Sequence, residues 1–491
     1  TNGQTRYSMI MISNTGADQK GWWYFYNETV TTISNKVGEG YRVLNVTNAG
    51  AADRFNAVLE YCSPSCPWSG WWVGLDNYQI LDKAQNDGLR VIAIDKYAGS
   101  CNGGTACFAA ALLENSPDDV TSCDSNGCIS QKNLADNIAS TLGSNVVGYS
   151  VMVGAMRPRY GGSARTVADP PTLSMAPDLV TNIASVSKSL TAVAIMQLLA
   201  KNKINPNARI SPYIYRDWIQ GPNINQLTFR HLLTHTSGFA QTASNCMTNN
   251  GSTSGINYAG LKQIVANGVP NTANIGLPQY GNCNTALLRE LMPALLGLAP
   301  RNLPPDGDLR AQASSDLYLT YMNKEVFQPV GVPPSLCLPP SGTNKILSYP
   351  SPVSTTAGTD WGDWSLRCGA GGWVLSAGQI FRVISDVAWG NTLLTSQLRR
   401  VMIDNNLGWD DAVRGDCPQP GVCKNGSLSN GTGKEVVWTY AGILKCNVPV
   451  VVVVNSDLPG QYAGGGSGDI IGLVRNAITA STVAGTGPAC P

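Results

Sequence analysis

The chain has 491 residues, of which 43% are hydrophobic and 13% are charged, and its formal net charge is +1. That length exceeds one ordinary hydrophobic core and predicts two or three domains. The near-neutral charge argues against a nucleic-acid partner, because no large basic field is available. No apolar run reaches the roughly 18 residues of a membrane span, so we expect no membrane association.

The first 115 residues contain an internal repeat. Trp22-Trp23 and Trp71-Trp72 stand 49 residues apart, and each pair precedes a Gly-x-Arg-Val segment and a Phe-containing tail. A further copy of the tail stands at 6–11. The residue pattern of each unit predicts an aromatic turn, followed by an amphipathic helix and two short strands. Units this small cannot bury their own apolar faces, so residues 1–115 predict a small α/β tandem-repeat domain of about 48–53 residue units that pack together.

A polar, disulfide-bearing connector at 116–130 separates this domain from residues 131–491. The second domain begins and ends with strand patterns and carries helical patterns between them. Helices flanking an antiparallel sheet built from both chain ends predict an α+β fold. The expected elements are helices at 133–142, about 185–201 and 468–480, and strands at 146–153, up to 167, 435–443 and 448–455.

The 14 cysteines indicate disulfides in an oxidising compartment. No Cys-x-x-Cys occurs, which argues against zinc ribbons and thioredoxin-like sites. The close pairs are Cys62/Cys66, Cys101/Cys107, Cys123/Cys128 and Cys417/Cys423. Five glycosylation sequons also fit secretion, at Asn27, Asn45, Asn250, Asn425 and Asn430. Because the chain begins at Thr1 without a signal peptide, we interpret it as a processed, secreted form.

Ser185-Val186-Ser187-Lys188 is the only Ser-x-x-Lys in the chain. Residues three apart on a helix share a face, so the Lys188 amine can reach the Ser185 hydroxyl. A serine needs a base to become a nucleophile, and a lysine serves only if its pKa is lowered. The motif alone is equally compatible with a solvated helix end.

The chain has two histidines, His231 and His235, and a Ser-His-Asp triad would have to use one of them. Both lie in Arg-His-Leu-Leu-Thr-His-Thr-Ser-Gly at 230–238. Their spacing suits two zinc ligands on a helix, but no glutamate follows His231, so the metalloprotease signature is incomplete. We interpret both as structural supports and expect no metal or cofactor.

Two further segments are compatible with a catalytic cleft. Tyr280-Gly281-Asn282 leads into an apolar helix, and Lys424-Asn425-Gly426-Ser427 precedes the final strand pair. The lysine on an edge strand is suited to shift the protonation equilibrium of the tyrosine or to bind a substrate carboxylate. Neither pattern is unique, because Tyr-x-Asn recurs at 321–323 and Lys-x-Gly recurs at 36–38.

These segments, in this order, resemble the family of class C β-lactamases, D-Ala-D-Ala carboxypeptidases and esterases. The resemblance covers about residues 130–491 and implies an antiparallel sheet flanked by helices, with a helical subdomain. It implies an acylated nucleophile at Ser185, with Lys188 and Tyr280 sharing general-base work. The backbone N–H groups of Ser185 and Ser427 would form the oxyanion hole.

The same resemblance implies substrate contacts from Asn282, Lys424, Asn425 and Gly426. Asn425 stands where threonine is more usual, and a glycan there would block the cleft, so we expect Asn425 to be bare. Glycans are then expected at Asn27, Asn45, Asn250 and Asn430. A cysteine-bearing insertion at 333–368 is expected to wall off the substrate.

The front repeat, fused ahead of such a domain, resembles the fungal polyglycine hydrolases, secreted endoproteases that cut glycine-rich linkers of plant chitinases. This implies a peptidase acting on Gly-rich peptide. An esterase or β-lactamase with the same residues is the first alternative, because one nucleophile serves all three reactions. The second is a carbohydrate- or peptide-binding protein with an inert hydrolase domain, using Trp22, Trp23, Trp68, Trp71, Trp72 and Tyr78 as its platform.

Overall fold

A computed structural model describes residues 22–51, 53–61, 69–76, 79–80, 83, 89–101, 104–114, 121–124, 127–239, 258–298, 302–350, 355–410, 415, 417–430, 435–462 and 469–483. The chain divides into two compact units, residues 1–117 and 118–491. Each unit has its own apolar core.

The front unit contains two three-stranded antiparallel sheets with the same strand order. The first has the order β1-β3-β2 and the second has the order β4-β6-β5, so the last strand of each is central. These central strands are the Phe-containing tails of the sequence repeat. The elements are β1 (Trp22–Thr29), α1 (Val30–Gly38), β2 (Tyr41–Asn48), β3 (Arg54–Tyr61), β4 (Ser69–Leu75), β5 (Leu89–Cys101) and β6 (Gly104–Glu114).

The two tryptophan pairs lie in strands, and the expectation of an aromatic turn was wrong. Trp23 pairs with Leu59 of β3, and Trp71 pairs with Ala111 of β6. Large aromatic side chains pack well on a pleated surface, which favours the extended backbone over a turn.

The two sheets of the front unit share apolar packing. Phe55 of β3 is fully buried, and its ring centroid lies 6.4 Å from that of Trp71 and 5.6 Å from that of Tyr97. Ala109 and Ala111 of β6 join the same core, together with Ile33 of α1. Neither three-stranded sheet therefore buries its apolar face alone.

The second unit is built on a six-stranded antiparallel sheet of order β11-β10-β9-β16-β15-β14. Strands from both ends of this unit meet at its centre, as the sequence predicted. The strands are β7 (Thr121–Asp124), β8 (Gly127–Ser130), β9 (Gly148–Val153), β10 (Arg159–Arg165), β11 (Leu173–Ser174), β12 (Val180–Asn182), β13 (Val374–Ser376), β14 (Val422–Ser429), β15 (Glu435–Ile443), β16 (Pro449–Val454) and β17 (Thr482–Val483).

Helices cover both faces of this sheet, because its central strand β16 is apolar on both sides. Val451 and Val453 face one core, whereas Val450, Val452 and Val454 face the other. The α+β prediction is confirmed. The helices are α2 (Gln131–Leu142), α3 (Ser187–Lys201), α4 (Phe229–Leu233), α5 (Tyr258–Asn267), α6 (Asn282–Leu295), α7 (Asp308–Tyr321), α8 (Ala377–Trp389), α9 (Ser396–Asp404) and α10 (Ile470–Ala480), with a π-helical turn at Met322–Phe327.

Three of the four close cysteine pairs form disulfides, Cys101–Cys107, Cys123–Cys128 and Cys417–Cys423. Cys62 and Cys66 lie outside the described residues. A further disulfide joins Cys337 to Cys368. Among the described helices, none has the length and hydrophobicity needed to cross a membrane.

Candidate active site

Ser185 lies in a 3-10 turn at Ala184–Val186, immediately before α3. The helix therefore begins at Ser187, two residues later than predicted. Ala184 has a left-handed backbone with φ of 49°, and its N–H donates to Asn182 Oδ1 at 2.9 Å. Thr439 of β15 donates to the Ile183 carbonyl at 2.8 Å. These contacts hold an unfavourable backbone that presents Ser185 at the end of the helix.

Lys188 lies one turn further along and is 1% exposed. Its Nζ donates to Ser185 Oγ at 2.8 Å and to the carbonyl of Ala370. Burial lowers the pKa of Lys188, because an ammonium loses its hydration there, and the neighbouring Lys424 lowers it further. Lys188 is therefore suited to act as a proton acceptor for the serine hydroxyl.

Tyr280, which lies just before α6, hydrogen-bonds to Ser185 Oγ from the other side at 2.7 Å. The Nζ atoms of Lys188 and Lys424 lie 5.1 Å and 4.7 Å from its ring centroid. Burial acts to raise the pKa of Tyr280, but the two cations outweigh it, and the net pKa lies below the usual value. The phenol can thus lose its proton more readily than a free tyrosine.

His235 supports Tyr280. Its ring centroid lies 4.6 Å from that of Tyr280, and its Nδ1 accepts the Gly281 N–H at 3.4 Å. Burial, followed by the charges of Lys424 and Lys188, holds the pKa of His235 well below its usual value. His235 is therefore a neutral support for the tyrosine loop.

His231 has a separate structural role. With Thr228 it forms a capping box at the start of α4. Among the described residues, no group of three or more His, Cys, Asp and Glu side chains is arranged to hold a metal ion.

Lys424 enters the site from β14, which is an edge strand, as predicted. It is 1% exposed and forms an ion pair with Asp410, which is fully buried. Asp410 also accepts the Asn425 N–H on Oδ2 at 3.0 Å and donates its own N–H to the Cys423 carbonyl at 2.7 Å. Sequence analysis missed Asp410, which lies 14 residues before Lys424 and is brought to it only by the fold.

Gly426 allows β14 to pass directly against the nucleophile turn. A Cβ at Gly426 would lie 2.7 Å from Ser185 N and 2.9 Å from the Ile183 carbonyl. Asp410 bonds to Cys423 and Asn425 on the edge of β14 that faces away from β15. Because hydrogen-bonding direction alternates along a strand, the N–H of Ser427 points from this same edge.

Two of the implied substrate contacts, Asn425 and Asn282, have the following positions in the structure. The Asn425 side chain donates to Asp469 Oδ2 at 3.2 Å, and Asp469 also caps the start of α10. Asn425 therefore points to the face of β14 opposite Lys424. Asn282 is the first residue of α6, and in the described part of the chain its side chain does not hydrogen-bond to Ser185 or Lys188. The Cys337–Cys368 disulfide holds the segment before Ala370, whose carbonyl binds Lys188.

Further hydrogen bonds fix that carbonyl-bearing segment. Fully buried Arg289 donates to the carbonyls of Leu366 and Cys368, and Thr191 donates to that of Gly369 at 2.9 Å. Sequence analysis missed Arg289, Thr191 and Ala370. A backbone carbonyl carries no residue signature, so only the fold could place it beside Lys188.

The two recurring patterns lie elsewhere. Tyr321 hydrogen-bonds to Gln197 Oε1 at 3.3 Å, and Asn323 binds the backbone of Ser335. Lys36 lies in α1 and forms an ion pair with Glu39. The Tyr280 and Lys424 copies are the ones that the fold brings to Ser185.

Comparisons with known proteins agree with this architecture. The model of the family described as Beta-lactamase matches residues 157–463, more than half of the chain. No curated protein sequence matches significantly. FmtA from Staphylococcus aureus is 13% identical, with a TM-score of 0.50 over 73% of this chain and 91% of that chain. A β-lactamase/D-alanine carboxypeptidase from Pseudomonas syringae is 14% identical, with a TM-score of 0.50 over 71% of this chain and 98% of that chain.

At these identities the structural likeness shows the fold, whereas the sequence match shows the family. Residues 118–491 carry the sheet and helices of that fold, and the Ser185 turn lies within the matched segment. The chain belongs to the beta-lactamase family of serine hydrolases.

Proposed function

We propose that the protein is a secreted acyl-enzyme serine hydrolase that cleaves Gly-rich peptides. The observation that carries this proposal is the pair of hydrogen bonds on Ser185 Oγ, from Lys188 at 2.8 Å and from Tyr280 at 2.7 Å. Two groups with lowered pKa values against one hydroxyl are what nucleophilic catalysis requires. An inert binding protein would have no need to bury two lysines around a serine.

Acylation proceeds by transfer of the Ser185 proton to the Tyr280–Lys188 pair while Oγ bonds to the substrate carbonyl carbon. The N–H groups of Ser185 and Ser427 stabilise the oxyanion. When the carbon–nitrogen bond breaks, the pair returns the proton to the leaving amine, and Ser185 is left as an ester. Water then loses a proton to the same pair and bonds to the ester carbonyl carbon, the carbon–Oγ bond breaks, and the pair returns the proton to Ser185 Oγ as the acid leaves.

The edge of β14 at Ser427, beyond the part bound by Asp410, supports a peptide substrate. An extended peptide can add to such an edge through main-chain hydrogen bonds, and the Ser427 N–H points from it beside the nucleophile turn. Gly426 already brings two backbones into contact there, so glycines in the substrate would allow an equally close approach. The resemblance of the front repeat's sequence pattern to that of polyglycine hydrolases supports the same class.

A binding platform on the front unit finds less support. Trp23 is 44% exposed, but Trp71 packs against buried Phe55. The side chain of Trp22, together with Trp68 and Tyr78, lies outside the described residues. Secretion rests on the four disulfides of the described residues and on exposed sequon residues Asn27 and Asn45.

A substrate panel tests the proposal. Internally quenched Gly-rich peptides, a short-chain aryl ester and a chromogenic cephalosporin are given to the wild type and to Ser185→Ala, with exposed Ser144→Ala as the control. We expect peptide cleavage by the wild type and by Ser144→Ala, and a covalent adduct on Ser185 by intact mass. Turnover of the ester or the cephalosporin without peptide cleavage would overturn the peptidase assignment.

A further inference from the structure

The charge on Lys424 is already paired with an opposite charge within the protein. Its ammonium and the Asp410 carboxylate form an ion pair in which the lysine is 1% exposed and the aspartate is fully buried. Buried opposite charges in contact satisfy each other, and separating them leaves an uncompensated buried charge, which is strongly unfavourable. Lys424 is therefore poorly placed to bind a second carboxylate from a substrate.

Asp410 cannot easily move away from this lysine. Its backbone N–H and its Oδ2 both bond to β14, through the Cys423 carbonyl and the Asn425 N–H. The preceding loop is fixed as well, because the Gly408 N–H donates to the Leu233 carbonyl at 2.9 Å. Ser189 of α3 donates to the Gly408 carbonyl at 2.7 Å.

Among the described residues, the other titratable groups at the site offer no substitute cation. Lys188 is committed to Ser185 and the Ala370 carbonyl. His235 is buried beside Tyr280 and its low pKa keeps it neutral. The Lys424–Asp410 ion pair carries no net charge, so it adds none to the Lys188 and Tyr280 side chains that contact Ser185 Oγ.

We infer that Asp410 is a specificity-determining residue that makes the Ser185 site prefer acyl substrates whose leaving group is uncharged. The site then cleaves bonds inside a peptide chain rather than bonds beside a free terminal carboxylate. This inference rests on the proposed acyl-enzyme function and narrows its substrate class. The sequence left two roles open for Lys424, to shift the protonation equilibrium of the tyrosine or to bind a substrate carboxylate. The inference selects the first role. Asp410 touches no reacting atom and acts through Lys424.

Two matched thioesters test the inference independently of peptide cleavage. Benzoylglycyl thioglycolate carries a carboxylate on its leaving group, and benzoylglycyl thioglycolamide carries a neutral amide at the same place. In both, Ser185 Oγ bonds to the glycyl carbonyl carbon, the carbon–sulfur bond breaks and the thiol leaves with a proton. The readout is the ratio of kcat/KM for the carboxylate ester to that for the amide ester.

The wild type is expected to prefer the neutral thioester. Asp410→Asn frees the lysine charge and is expected to move the ratio toward the carboxylate by roughly tenfold, the scale of one charge interaction in a partly solvated site. Asp410→Asn combined with Lys424→Met removes that charge and is expected to restore the wild-type preference. Glu60→Gln, which breaks the ion pair with Arg42 in the front unit, is the control and leaves the ratio unchanged.

A wild-type preference for the carboxylate thioester overturns the inference, and this measurement needs no variant to fold. A ratio that changes less than threefold in folded Asp410→Asn also overturns it. If the thioesters give the expected ratios while Gly-rich peptides resist cleavage, the peptidase proposal fails and the charge selection by Asp410 stands.

Discussion

The two units of this chain differ in the kind of side chains that they bury. The front unit repeats one simple arrangement, and its core is apolar: Phe55 and Ile33 are fully buried among alanines and valines. The site in the second unit instead buries two lysines, each 1% exposed, and matches them with Tyr280, Asp410 and a backbone carbonyl. Apolar packing tolerates exchange of similar residues, whereas buried charges need particular partners.

Substitutions in the two units are therefore expected to affect different properties, stability in the front unit and catalysis in the second. A change in the front core alters how firmly two sheets hold together, because burial energy is spread over many contacts. A change at the site leaves the fold standing and alters proton transfer. The following experiments separate these two outcomes, beginning with the largest effect.

Ser185→Ala is expected to reduce hydrolysis of every cleaved substrate by roughly 10⁴-fold or more, because the covalent route is removed. The thermal midpoint should stay close to that of the wild type, since Ser185 is only partly buried. Turnover is measured with the short-chain ester, and folding is followed by circular dichroism. Unchanged turnover would exclude Ser185 as the nucleophile.

Tyr280→Phe is expected to slow acylation by roughly 10²–10⁴-fold, the usual contribution of a positioned acid–base group. Single-turnover kinetics with the ester measure that step. Tyr321→Phe is the matched control, because Tyr321 belongs to the second Tyr-x-Asn segment and hydrogen-bonds only to Gln197 in the described contacts. A loss below tenfold at Tyr280, or an equal loss at Tyr321, would assign the base elsewhere.

Phe55→Ala is expected to destabilise the front unit by about 3–5 kcal/mol while ester turnover stays within about twofold. Phe55 is fully buried and bridges the two sheets, so its loss leaves a cavity between them. Hydrogen exchange should rise in β3 and β6 but not in β16. Equal loss of protection in β16 would show that the two units unfold together.

Lys424→Met and Asp410→Asn are expected to move the acid limb of the kcat/KM profile in opposite directions. Tyr280 is surrounded by Lys188, Lys424, Asp410 and neutral His235. Lys424 lowers the pKa of Tyr280, so its loss raises that pKa and shifts the limb to higher pH. Asp410 raises the pKa, so neutralising it shifts the limb to lower pH.

Shifts of the same sign in both variants would contradict this electrostatic account. The comparison is best made with the neutral thioester, whose own charge does not change across the pH range used.

The elements with strong periodicity were predictable from sequence. The six-residue strand Pro449–Val454 and the helix after Ser185 lie within two residues of their predicted positions, because apolar spacing determines both. The tryptophan pairs were misread, because adjacent aromatics suit either a turn or a strand and only pairing with β3 and β6 decides.

For the site, the residue types and their order in the chain could be predicted from the sequence. They are a serine three residues before a lysine, then a tyrosine, then a lysine followed by Asn-Gly. Local spacing was enough to bring Lys188 to Ser185, because a helical turn links them. Only the tertiary structure brings Tyr280, and not Tyr321, to Ser185. It also places the Asn425 side chain on the face of β14 opposite Lys424 and pairs Lys424 with Asp410. These choices depend on contacts between distant segments, and charge neutralisation inside a protein is set by such contacts.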